Sequence, residues 1–200
     1  VRRVVATALG LAGLLGCAAG PAPPDHFYRI AAPRPAAAAD PPLLAGTLSV
    51  QRPRADALTD ERAVLYRREG SQELLQASYD LWVDPPTSML QSEMVRWLRE
   101  AAAAERVVTP DLRVRADHRL ASRLLRLEHV TGGEGGRVVL EIELALSGRD
   151  ERKLLLLETY REEWPVDGGS VAAAADAFGR ALGAVLERFV ADVAGALESG

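Results

Sequence analysis

Residues 137–146, RVVLEIELAL, constrain this chain more than any other stretch. Val138, Leu140, Ile142, Leu144 and Leu146 occupy alternate positions, with Glu141 and Glu143 between them. Successive strand side chains point to opposite faces, so this run reads as a strand with one face to be covered and one that can meet water. Before it, HRLASRLLRLEHV (118–130) alternates until Leu124 and Leu125, where two consecutive leucines predict a bulge. After it, SGRDE turns the chain into RKLLLLETYREEW (152–164). Connections this short leave no room for crossovers, so the three segments form an antiparallel meander.

The apolar face of such a meander needs a cover, and two helical patterns supply it. Leu90, Met94, Trp97, Leu98 and Ala101 recur at helical spacing within PPTSMLQSEMVRWLREAAAAERV (85–107). Ser88 and Gln91, just past Pro85 and Pro86, fit a capping box. The second helix runs from about Val171 to Leu197 with Ala174, Phe178, Leu182, Val185, Phe189 and Val193 on one stripe, a length of about 40 Å. Upstream, HFYRI (26–30) and GTLSVQR (46–52) read as short strands, with the proline-hemmed PRPAAAADPP (33–42) as a loop between them. RAVLYRRE and ELLQASYDLWV flank the turn residues GSQ as a hairpin. The expected fold class is α+β, a mostly antiparallel β-sheet with two main helices packed on it, each helix free to cover one sheet face.

The N-terminal segment follows a different logic. Arg2 and Arg3 precede an apolar stretch from Val4 to Leu15, which is the layout of an export signal. As a helix it would extend about 20 Å, short of the roughly 30 Å of a bilayer core, so it reads as cleavable and not as a span. It ends at Leu14-Leu15-Gly16-Cys17, and Cys17 is the one cysteine of the chain. That tetrapeptide resembles the bacterial lipobox, in which the cysteine is lipidated and becomes the first residue. A diacylglycerol and an amide-linked acyl chain on Cys17 would hold the protein on a membrane, because each buried methylene contributes about 0.8 kcal/mol and two chains anchor stably. Ala18 is not the aspartate that resembles an inner-membrane retention signal, so the expected location is the periplasmic face of the outer membrane. AAGPAPPD (18–25) forms no regular element and reads as a tether. The expected organisation is a signal peptide over 1–16, lipidated Cys17 and tether over 17–25, and a single α+β domain over 26–200.

The formal charge of −4 carries no basic stripe of the kind a nucleic-acid partner favours. No cofactor is expected. His26, His118 and His129 lack metal-ligand spacing, and one cysteine cannot complete a thiolate site. The glycine-rich TGGEGGR (131–137) lacks the lysine and hydroxyl of a P-loop and reads as a hairpin loop. Glu141 and Glu143 share the polar strand face and read as solvated charges in preference to an acid/base pair. Ser78 and Ser147 lie outside any nucleophile elbow. These readings point to a protein that is not an enzyme. Trp82, Trp97 and Trp164 read as core or edge packing, with a partner surface as the rival reading. The arginines of RLLRLEH (123–129) read as an ordinary solvated face.

HFYRIAAPRP, AVLYRREGSQELLQASYDLWVDPP, the helix, the meander and the terminal helix together resemble the ABC-type transport auxiliary lipoprotein family, which includes the paraquat-inducible protein C type. Tyr79, Trp82, Pro85 and Pro86 in YDLWVDPP carry the most specific part of the likeness. The resemblance implies an accessory subunit of a lipid-transport system that maintains the outer membrane. Its partner would be a periplasmic protein with mammalian-cell-entry (MCE) domains, served by an ATPase and a permease. Ring-shaped partners in such systems imply a homo-oligomer. The alternative is an envelope lipoprotein that scaffolds or activates cell-wall or outer-membrane assembly machinery. A periplasmic hydrolase is the weakest reading, because no nucleophile and base are paired.

Overall fold

A computed structural model describes residues 23–133, 135–149 and 153–199. The export-signal segment, Cys17 and most of the tether lie outside these residues. The meander is present as β6 (His118–Thr131), β7 (Arg137–Gly148) and β8 (Leu154–Pro165), paired antiparallel in that order. Val138, Leu140, Ile142, Leu144 and Leu146 are all fully buried on one face. The β6–β7 register shifts between Leu124 and Arg126, the bulge that consecutive leucines predict.

The rest of the sheet corrects the expectation of mostly antiparallel strands. β1 (His26–Tyr28) pairs parallel with β4 (Leu75–Trp82), β2 (Leu44–Val50) pairs parallel with β5 (Ala104–Val108) and with β6, and β3 (Ala63–Arg68) pairs parallel with β6. Only the β3–β4 hairpin joins the meander in being antiparallel among the described residues. The physical reason is connectivity: every parallel pair is joined by a long connection that can serve as a crossover, whereas the antiparallel pairs are joined by short turns. The far edge of β6 takes β2 at one end and β3 at the other, both running in its own direction, so the chain must cross over between them and β6.

α1 spans Pro86–Glu100, beginning with a proline at a position where the missing N–H costs nothing. The expected capping box does not form, because Ser88 already lies inside the helix. Asp60 instead accepts the Thr87 N–H at 3.0 Å, and Gln91 donates to the Val50 carbonyl at 3.0 Å, fastening α1 to β2. The helix also ends earlier than its alanines suggest. Ala102 adopts φ 50°, and the chain enters β5, a strand the sequence pattern hides. Alanine's helix propensity is a few tenths of a kcal/mol per residue and is overridden by pairing with β2.

α2 spans Val171–Ser199, with Ser170 Oγ accepting the Ala173 N–H at 3.1 Å at its start. Its stripe from Ala174 to Val193 is buried in one cluster with Leu90, Met94, Trp97 and Leu98 of α1. Both helices therefore lie on the same sheet face, not one on each. Residues 30–33 thread between them. The Ala32 N–H donates to Glu93 Oε1 at 2.6 Å, the Ala32 carbonyl accepts from Arg96 Nη2 at 2.7 Å, and the opposite side of the segment rests on Gly179 and Gly183 of α2.

Candidate functional site

Two helices on one face leave the other face of the meander uncovered. Alternation on β6 points Arg119, Ala121 and Arg123 there, all exposed. The registers with β7 and β8 build three rows: Arg119–Ser147–Leu154, Ala121–Ala145–Leu157 and Arg123–Glu143–Thr159. Ala121 and Ala145 in the middle row are short and apolar, and Arg119, Arg123 and Glu143 beside them are long. Leu154 and Leu157 remain 54% and 49% exposed, so apolar surface reaches the sheet edge.

A fourth arginine joins from a segment that belongs to no strand. After β2 the chain continues along β6, with Gln51 N donating to Leu120 O at 2.8 Å, Arg54 N to Ser122 O at 2.9 Å, and Leu124 N to Arg54 O at 2.8 Å. Arg54 thereby becomes the parallel register partner of Arg123. Neither side chain enters a hydrogen bond or ion pair among the described residues. Arg52 is held by Thr87 Oγ1 at 2.7 Å and reaches Asp60 at 3.4 Å. The turn at Pro110–Leu112 forms the facing wall. Together these groups bound an open groove of about 790 Å³, whose charged lining is Arg52, Arg54, Arg119 and Arg123 against Asp111 and Glu143. A smaller hollow of about 230 Å³ continues it past His118 and Arg149. There the Thr47 amide and the Arg149 guanidinium hold the Asp117 carboxyl below its ordinary value.

The other end of the same face is filled and paired. Leu65, Val130 and Val139 are buried there, apart from the main core. Glu128 receives Arg67 at 2.9 Å and Arg126 at 2.7 Å, and burial, which raises its pKa, is outweighed by these two cations. Arg161 bridges Glu141 and Glu163, and Arg137 bridges Glu163 and Glu69. Side chains satisfied among themselves have little left to offer a ligand.

The residues singled out from sequence scatter. Trp82 and Trp97 are core, Trp82 meeting Phe178 edge-on at 5.8 Å. Trp164 is half-buried under the Arg180 guanidinium. Tyr79 is exposed, and Pro86 opens α1. Glu141 is tied to Arg161, while Glu143 lies in the groove floor. His129 is buried with Nε2 unpartnered, and no group of three or more His, Cys, Asp or Glu side chains fit to hold a metal occurs among the described residues. The glycine-rich loop closes the β6–β7 hairpin, with Gly136 at φ 82°. Sequence reasoning missed the groove. Arg119 and Arg123 were legible as outward-pointing strand residues, but Arg54 has no local signal that brings it beside them.

A family model described as ABC-type transport auxiliary lipoprotein component matches residues 28–190. Among solved structures, a protein of Xanthomonas campestris assigned to the DUF330 family is 23% identical over 87% of this chain and 98% of its own, with a TM-score of 0.70. An uncharacterised protein is 15% identical over 88% of this chain and 99% of its own, with a TM-score of 0.62. At these identities the likeness concerns the fold alone. A PelC dodecamer from Paraburkholderia phytofirmans is more distant, 12% identical over 70% of this chain and 86% of its own, with a TM-score of 0.42. No match was found among curated proteins. No helix of the described residues is long and apolar enough to cross a membrane.

Proposed function

The chain belongs to the family of ABC-type transport auxiliary lipoprotein components, and from that membership we propose that it is a non-enzymatic accessory subunit of an MCE/ABC lipid-transport system, anchored through Cys17. The observation that carries this reading is a family match spanning 28–190, nearly the whole folded part of the chain. The basic residues, apolar stretch and Leu14-Leu15-Gly16-Cys17 ahead of that match supply the anchor, and residues 17–25 the tether to the domain over 26–200.

In this reading the domain works by binding and not by chemistry. Lipid on Cys17 confines it to the periplasmic face of the outer membrane, and a short tether raises its effective concentration for an MCE-domain protein arriving there. A modest interface then suffices, and a homo-oligomer would multiply it further.

The test is co-purification from detergent-solubilised envelope with mass spectrometry of the mature N-terminus. The reading expects an acylated Cys17 at the N-terminus and enrichment of an MCE protein, an ATPase or a permease over an unrelated lipoprotein bait. A mature protein with an unmodified cysteine, or enrichment of cell-wall synthesis enzymes instead, would replace it with the scaffolding reading.

A further inference from the structure

We propose that the groove between the Pro110–Leu112 turn and the uncovered meander face is the docking surface for an acidic, amphipathic segment of the partner protein. This deepens the reading of the chain as an auxiliary subunit and rests on it for the existence of a partner.

Three features define the occupant. First, Arg54 and Arg123 are register neighbours with no ion pair among the described residues. Like charges side by side on a sheet are destabilising, and a bound anion relieves them. Guanidinium forks match carboxylates in a bidentate way, so the charge calls for Asp or Glu side chains.

Second, the floor between the arginine rows is Ala121 beside Ala145, continued by exposed Leu157. Ala121 between Arg119 and Arg123, with Ala145 beside Glu143, makes a trough that admits an apolar side chain. The occupant therefore carries an apolar stripe as well as acidic flanks. Third, Glu143 stands in the floor opposite Arg123. A continuous anionic surface such as a bilayer would meet that carboxylate with repulsion, whereas a folded segment can place a donor or a gap there. A second copy laid face to face would bring arginines against arginines.

The full mature chain in detergent is tested against a synthetic helical peptide with a leucine–alanine stripe flanked by glutamates, the same peptide with lysines at those flanks, and mixed micelles containing equimolar phosphatidylcholine and phosphatidylglycerol. The glutamate peptide is expected to bind, more weakly as salt rises, and the lysine peptide not to bind. Arg54→Glu with Arg123→Glu should lower glutamate-peptide affinity about tenfold or more and reverse the preference. Ala121→Glu should lower it as well, and all these positions are exposed, so unchanged thermal midpoints verify folding. Equal binding of both peptides, no effect of the arginine substitutions, capture of phosphatidylglycerol micelles that the double variant loses, or self-association lost in the double variant would each overturn the proposal. In parallel, the wild type and the double variant are co-purified from envelope. Loss of a transport component from the variant alone supports the surface, and equal retention overturns it while leaving the subunit reading intact. Failure of the wild type to retain any transport component overturns the subunit reading, and the peptide result then decides the surface.

Discussion

Gly179 of α2 lies directly beneath the carbonyl oxygen of Ala31, so a Cβ at this position would overlap that oxygen. Because the obstacle is backbone, held in turn by Glu93 and Arg96 of α1 through Ala32, it cannot swing aside. Gly179→Ala should destabilise the protein by about 1–3 kcal/mol, the cost of overpacking a close contact. Gly195→Ala is the control. A Cβ there meets nothing within 4 Å, and alanine's better helix propensity should raise stability by up to about 1 kcal/mol. Denaturant midpoints of the two variants, shifted in opposite directions, check the pair.

Glu128 predicts the acid side of the stability profile. Its carboxyl is held below the ordinary 4.5, since the bonds and charges of Arg126 and Arg67 overcome the burial that would raise it. The folded state thus binds fewer protons than the unfolded one between its own pKa and 4.5, and the stabilisation, complete above 4.5, is lost as pH falls through the folded value. Glu128→Gln should cost about 2 kcal/mol at pH 7, below the figure for a fully buried pair because both arginines keep some water. The variant should also show a flatter decline below pH 4.5, measured by urea unfolding across pH.

His129 acts in a higher window. Burial pushes its imidazole below the ordinary 6.5, against a smaller opposing bond to the Gly135 backbone, and Nε2 has no partner. An imidazole kept neutral on folding makes stability fall as pH drops below 6.5, where the unfolded chain takes up the proton, until the folded pKa is passed. His129→Leu should remove that slope while changing stability little at pH 8. A slope that persists in the variant would assign it to another group.

Cys17→Ala tests the anchor apart from the fold. The variant is expected to keep the wild-type thermal midpoint, to leave the membrane fraction and to lose function in an envelope permeability assay. Membrane association that survives a high-salt wash, in a variant whose residues 1–16 mass spectrometry shows to be removed, would refute lipid anchoring, because such a wash screens charge attraction to anionic lipid.

The elements whose signal is local were legible from sequence. Period-two alternation places Leu140, Ile142 and Leu144 on one face wherever β7 lies, and period 3.6 does the same for Phe178, Leu182 and Phe189 of α2, because side-chain direction follows from backbone geometry alone. The bulge at Leu124–Arg126 and the hairpin between β3 and β4 are of the same kind. Which strands become neighbours is not local. β5 forms from an alanine-rich stretch where β2 offers it an edge, and β2 and β3 share one edge of β6, which is long enough to take both, in the parallel direction that their long connections to it permit. Both helices lie on one face with the segment at Ala31 and Ala32 threaded between them against Gly179 and Gly183. The same long-range choice left the opposite face bare and brought Arg54 beside Arg123, residues far apart in the chain. Pairing of distant segments is decided by the total burial and hydrogen bonding of the whole sheet, a quantity that no window of the sequence contains.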